Sequence, residues 1–328
     1  MNNNKNTPPV QNSLPIKIIS IIGGVLACIS FVGFLFIAGL FKSAIAQFLV
    51  GFGFIGATIW LNKEYNNVLL DTISISLFLI GGILIGFALS EFGVSNTLSC
   101  LIFIVIALLS LFLSSNQVLA LVAQLSIHAC IVALLFTNDL QELVLFYIPL
   151  LATACYFVYT RKSWFIQQGE KTASLYLSSR TALTLSFLSA LYLAGSQIAM
   201  PVVPYLYWIA SVGIIAVILN LVNQISKLFN PETSAPAVRL LLLVTLLLLP
   251  TLFAPSISGA ILIILLGFQF MYKTGFLLGI LSSIYFIAQY YYDLSFTLLT
   301  KSILLLISGM LFLLLYFFVT KKLSPIEN

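Results

Sequence analysis

Residues 69–90 read LLDTISISLFLIGGILIGFALS, 22 residues with a single charged side chain before the end, Asp71 near the start. Wound as an α-helix, the stretch is about 33 Å long, enough to cross the hydrocarbon of a bilayer. Its apolar residues run all round the helix instead of gathering on one stripe, which marks a helix with no watery side. Moving outward, runs of the same kind recur at 18–40, 43–61, 97–113, 117–136, 140–160, 180–197, 204–226, 238–253, 257–272, 274–291 and 294–319. The fold class expected is therefore all-α, a polytopic transmembrane bundle of about twelve spans. The runs at 238–253 and 257–272, separated by Ala254, Pro255 and Ser256, read either as two spans or as one re-entrant or broken helix.

Composition agrees with that reading. Of the 328 residues, 61% are hydrophobic and 7% charged, against about a quarter charged in a soluble domain, and the mean hydropathy is +1.14. A water-soluble fold is excluded. The net charge of +5 comes from basic residues scattered singly through short connections, so no stripe exists to follow a phosphate backbone and no nucleic-acid partner is expected. The four cysteines, Cys28, Cys100, Cys130 and Cys155, all fall inside apolar runs and read as small fillers. Val25 to Cys28 resembles a lipoprotein cleavage box, but the apolar run continues to Leu40, so the first run is expected to be an uncleaved span.

Residues 1–16 are polar with three prolines and are expected to form a flexible cytoplasmic tail. The membrane domain is expected over 17–320, as six-span halves 17–160 and 180–320 joined by a basic cytoplasmic loop at 161–179, with a second tail at 321–328. Lys and Arg are retained on the cytoplasmic side of short loops. With twelve spans and the amino terminus inside, every cation except Lys42 and Lys301 falls on that side. A miscounted helix would invert all later residues, so the bias supports the count and an orientation with both termini in the cytoplasm. The opposite face carries Glu91, Asp139, Glu142 and Asp293.

Ionisable groups at membrane depth cost about 2.5 to 3.5 kcal/mol on insertion scales, and each is a functional candidate. His128 lies mid-span with Gln124 and Gln117 on its face. The stripe either lines a polar path or hydrogen-bonds neighbouring helices. Asp71 is either a buried partner for Lys63 or Arg239, or an interfacial acid. Lys301 breaks the charge rule. It either pairs with Asp293, Asp139, Glu142 or Glu91 beside a pocket walled by Tyr290, Tyr291 and Tyr292, or stays in water with the last helix starting near Ser302. Gly82 with Gly86, and Gly275 with Gly279, form small-residue pairs that let helices pack closely.

Phosphate-loop, metalloprotease and nucleophile-elbow patterns are absent from the sequence. No catalytic residue, metal site or cofactor is therefore expected, and the chain is not expected to be an enzyme.

Gly267, Lys273-Thr274-Gly275, Tyr290-Tyr291-Tyr292-Asp293-Leu294, Thr297-Leu298-Leu299, Lys301-Ser302 and Gly309 form a series at the carboxyl end. The series resembles the bacterial multi-span membrane family known as domain-of-unknown-function family 4401, DUF4401. Leu69-Leu70-Asp71 and Gly81-Gly82 are similar to its amino-terminal half, so the likeness extends over most of the chain. The resemblance implies no activity. It does imply partners: a membrane-anchored protein with a GDYXXLXY motif and another multi-span protein.

The function expected is thus a non-catalytic component of an envelope complex in the bacterial cytoplasmic (inner) membrane, with the lipid bilayer around it and a rim at 290–301 for a partner. The alternatives are a small-solute transporter or permease, suggested by twelve spans and a basic central loop, and an enzyme acting on a lipid-linked substrate.

Overall fold

The computed structural model describes residues 26–27, 30–39, 42–64, 68–113, 116–196, 206–229 and 234–293, with single positions at 299, 302, 303, 306, 309, 310 and 313. The two predicted tails, Lys301 and most of the last predicted span lie outside the described residues. So do the side chains of Asp71 and Asp293, although their backbones are helical.

Among the described residues the chain is helical and contains no strand. After a helical stretch at 30–37 come α1 (Ala44–Glu64), α2 (Val68–Glu91), α3 (Asn96–Leu113), α4 (Gln117–Thr137), α5 (Val144–Thr160), α6 (Lys162–Gln167), α7 (Glu170–Gly195), α8 (Tyr207–Phe229), α9 (Ser234–Leu248), α10 (Pro255–Gln269) and α11 (Lys273–Asp293). Helix is the form dictated by hydrocarbon, where each backbone N–H and C=O must find its partner inside the segment.

Polar residues set the ends. The Asn116 side chain accepts from the backbone N–H groups of Val118 at 2.8 Å and Leu119 at 3.2 Å and so caps α4. Three helices close in the same left-handed turn, with Gly93, Asp139 and Met271 at φ of 69°, 57° and 52°. In each, the following N–H reaches back five residues: Val94 to Leu89, Leu140 to Leu135 and Tyr272 to Gly267.

Seven helices among the described residues are long and apolar enough to cross a membrane: α1 to α5, α8 and α11. The helices expected at 238–253 and 257–272 are short. Ser234–Leu248 passes into a 3-10 turn at Leu249–Phe253, and α10 has 15 residues, or about 22 Å.

The predicted loop at 161–179 is the clearest correction. Lys162–Gln167 is a helix, and α7 begins at Glu170 rather than at 180 and runs 26 residues. The segment is polar and charged as connections are, yet nothing from Lys171 to Leu193 breaks a helix. The helix tolerates its serines and threonines because α4, α5, α10 and α11 surround it. Its Thr184, Ser186, Ala182 and Ala190 are buried against protein instead of lipid.

Packing crosses the 161–179 segment. The main core runs from Val144 to Phe286, so α5 packs with α7, α8 and α10. At the α5–α8 crossing, Gly213 makes room for Pro149; a Cβ there would lie 2.5 Å from the proline ring. The first four helices form two hairpins with smaller cores around Ile85 and Leu84. Gly51 and Gly81 bring the backbones of α1 and α2 together, a Cβ on either meeting the other's carbonyl oxygen within 2.9 Å. By contrast, Gly82 and Gly86 face the Phe103 ring at ordinary distances, 3.9 and 3.6 Å.

Candidate functional site

Among the described residues, polar side chains meet at several places in this apolar bundle, and three of these bear on function. The first surrounds Arg180. Tyr176, one turn before it on α7, Tyr159 at the end of α5 and Tyr272 at the start of the α11 hairpin arm bring their rings within 5.3, 5.9 and 3.6 Å of the guanidinium carbon. The hydroxyls fasten the rings. Thr184 spends its single proton on the Arg180 carbonyl at 2.8 Å, so the Tyr159 hydroxyl donates to Thr184 at 3.0 Å. By the same logic Thr181 donates to Leu177, and Tyr272 donates to Thr181 at 3.0 Å. Gly275 leaves space for this arrangement, because a Cβ there would collide with the Tyr272 ring and stand 2.8 Å from the Tyr159 hydroxyl. Aromatic faces partly replace the water that the cation gives up.

The second cluster contains His128. Its Nδ1 lies 2.5 Å from the Tyr147 hydroxyl on α5. Gln124 donates to the Ser179 hydroxyl on α7 at 2.8 Å, and Ser178 donates to the Gln117 carbonyl at 2.5 Å. The predicted stripe therefore divides between two neighbouring helices. Above His128 a cleft of about 500 Å³ opens between α4, α5 and α7, walled by Leu125, Val132, Phe136 and Leu193 and carrying Ser186 and Ser189.

The third cluster lies at the carboxyl end of α7, about 22 Å along the helix from Arg180. Gln289 donates to the Gly195 carbonyl at 2.8 Å, and Ser256 donates to the Leu191 carbonyl at 2.9 Å. A pocket of about 150 Å³ lies beside them, with Tyr207, Phe286 and Tyr290 in its wall. The Gln289 Oε1 is buried and makes no hydrogen bond. Of the three predicted tyrosines, Tyr290 lines the pocket, whereas Tyr292 is 78% exposed and packs edge-on against Tyr291.

Gly279 stands against the backbone of Ile264, where a Cβ would lie 2.9 Å from the amide nitrogen, and Gly267 makes the matching approach to Phe276. No group of three metal-ligating side chains occurs among the described residues. Arg180, Gln289 and Ser186 stand in these clusters although none is among the site residues expected from the sequence. The first two had a visible signal: Tyr176, Arg180 and Thr184 are spaced four apart, and Gln289 immediately precedes the tyrosine triplet.

A family model described as "Domain of unknown function (DUF4401)" matches residues 13–322, nearly the whole chain. No curated protein and no solved structure matches it.

Proposed function

The chain belongs to the DUF4401 family, and on that premise we propose that it is a non-catalytic component of an envelope complex in the bacterial cytoplasmic membrane. Its twelve crossings are the seven long apolar helices, the enclosed α7, the shorter α9 and α10, and the first and last apolar stretches of sequence. Both termini face the cytoplasm. Two features support this topology. Gly195, Ser256 and Gln289 meet at one end of the bundle and Tyr159, Arg180 and Tyr272 at the other, as alternating helix directions require. In addition, Arg161, Lys162, Arg180 and Lys273 flank the same end, which the charge rule assigns to the cytoplasm.

The observation that carries the functional reading is the aromatic end of α11. Tyr292 stands exposed, Tyr290 is 40% exposed, and Tyr290 shares the wall of a pocket with Gln289. Exposed aromatic side chains with polar tips are chemistry suited to a protein partner. The partners proposed are the membrane-anchored GDYXXLXY protein and the second multi-span protein that the family resemblance implies.

Purification of the chromosomally tagged chain in mild detergent tests the proposal. Both partners are expected to co-purify, and Tyr292→Ala and Lys301→Ala to weaken their recovery. A protein recovered alone, or associations untouched by both substitutions, refutes it.

A further inference from the structure

We propose that the cleft between α4, α5 and α7 is a binding site for an uncharged lipid that carries a carbonyl oxygen. Ser186 motivates the assignment. Serines and threonines inside these helices usually return their proton to the carbonyl one turn back, as Thr58, Ser110, Ser126, Thr184 and Ser282 do. Ser186 does not. Its residue is 5% exposed, its hydroxyl oxygen is buried, and it has no hydrogen-bond partner. It lines the cleft together with His128. An unpaired buried hydroxyl is costly, and because its residue forms part of the cleft wall, a rotation about χ1 would present the proton to an acceptor in the cleft.

His128 supplies the second donor. Nδ1 and the Tyr147 hydroxyl are 2.5 Å apart; in the tautomer in which the hydroxyl donates to Nδ1, the ring proton sits on Nε2 and is available for donation. In that tautomer His128 and Ser186 are the two donors left in the lining; no carboxylate, lysine or arginine lines the space, and apart from Tyr147, bonded to the histidine, and Ser189, which donates to the Ser186 carbonyl, the remaining walls are aliphatic or aromatic. A charged ligand would be left without a counter-ion, and a pure hydrocarbon would leave both donors unmet. A neutral carbonyl lipid satisfies both conditions. Its head lies at the level of His128 and Ser186, and its chain runs toward Phe136 and Leu193. A volume of about 500 Å³ falls in the range of small-molecule sites. Two sources share this chemistry, a quinone ring and an acyl ester.

The test uses the full-length protein in dodecyl maltoside, with decylubiquinone, dioctanoylglycerol and decylbenzene as probes in equilibrium dialysis. Saturable binding of one or both carbonyl probes, with decylbenzene retained far less, is expected, and the preferred probe identifies the source. Ser186→Ala should weaken the bound probe about five- to tenfold, the size of one hydrogen bond. The same change should raise the melting temperature of the ligand-free protein, because it removes an unmet hydroxyl. Ala133→Leu should fill the cleft and abolish binding. Equal retention of decylbenzene, no saturable binding of either carbonyl probe, or affinity unchanged by Ser186→Ala and by Ala133→Leu overturns the assignment.

Discussion

The guanidinium carbon of Arg180 lies 3.6 Å from the centre of the Tyr272 ring. Sequence distance makes this contact informative: it ties the central helix α7 to the hairpin of α10 and α11, and Tyr272 adds a hydrogen bond to Thr181 at 3.0 Å. A desolvated cation–aromatic contact contributes about 2 kcal/mol and a hydrogen bond between membrane helices about 0.6 kcal/mol. Tyr272→Leu is therefore expected to cost about 2 kcal/mol or more, and Tyr272→Phe, which keeps the ring, less than about 1 kcal/mol. Reversible unfolding in mixed micelles measures both. Equal losses for the two variants would mean that the ring face contributes nothing.

The approach of α10 to α11 depends on Gly267. A Cβ there would lie 2.5 Å from the Phe276 amide nitrogen and 2.7 Å from its Cα, and a backbone cannot swing aside as a side chain can. Gly267→Ala should cost about 1 to 3 kcal/mol as overpacking. Gly56→Ala is the control, since nothing lies within 4 Å of a Cβ at that position. Should both variants melt alike, the close approach does not exist in solution.

Which parts of this architecture were legible beforehand follows from what each residue touches. Helices α1 to α5 showed clearly, because lipid-facing walls must be apolar throughout. Helix α7 was partly hidden for the complementary reason: enclosed by protein, it needs small and polar residues instead of greasy ones, and Glu170 to Ser179 resembled a loop. The small-residue pairs were similarly ambiguous. A pattern such as Gly82 with Gly86 states that a helix can be approached, not by which neighbour, and the tight crossing formed instead at Gly51 and Gly81. Arg180 counted only as a topological charge until Tyr159 and Tyr272, far away in sequence, were brought to it. The His128 stripe was visible, but the cleft above it depends on α7, which periodicity cannot place.

Met271 closes α10 in a left-handed conformation, φ 52°, with its side chain 90% exposed. The side chain contributes little packing there, while its Cβ makes the turn unfavourable for any residue but glycine. Met271→Gly should stabilise the protein by about 0.5 to 1 kcal/mol, visible as a higher melting temperature in detergent. Destabilisation would show that the turn adopts another geometry.

The four amino-terminal helices join the rest chiefly where α4 meets α7, and the polar contacts there are Gln124 to Ser179 and Ser178 to the Gln117 carbonyl. Hydrogen bonds of this kind average about 0.6 kcal/mol within membranes, because an unfolded helix in lipid finds substitutes. Gln124→Leu is thus expected to be nearly neutral. Ser178 is 3% exposed, so its small size matters more than its hydroxyl. Ser178→Ala should resemble Gln124→Leu, whereas Ser178→Leu should wedge the two helices apart and cost several times as much. Unfolding free energies of the three variants decide the point. If Ser178→Ala proves as damaging as Ser178→Leu, the hydroxyl rather than close packing holds α4 against α7.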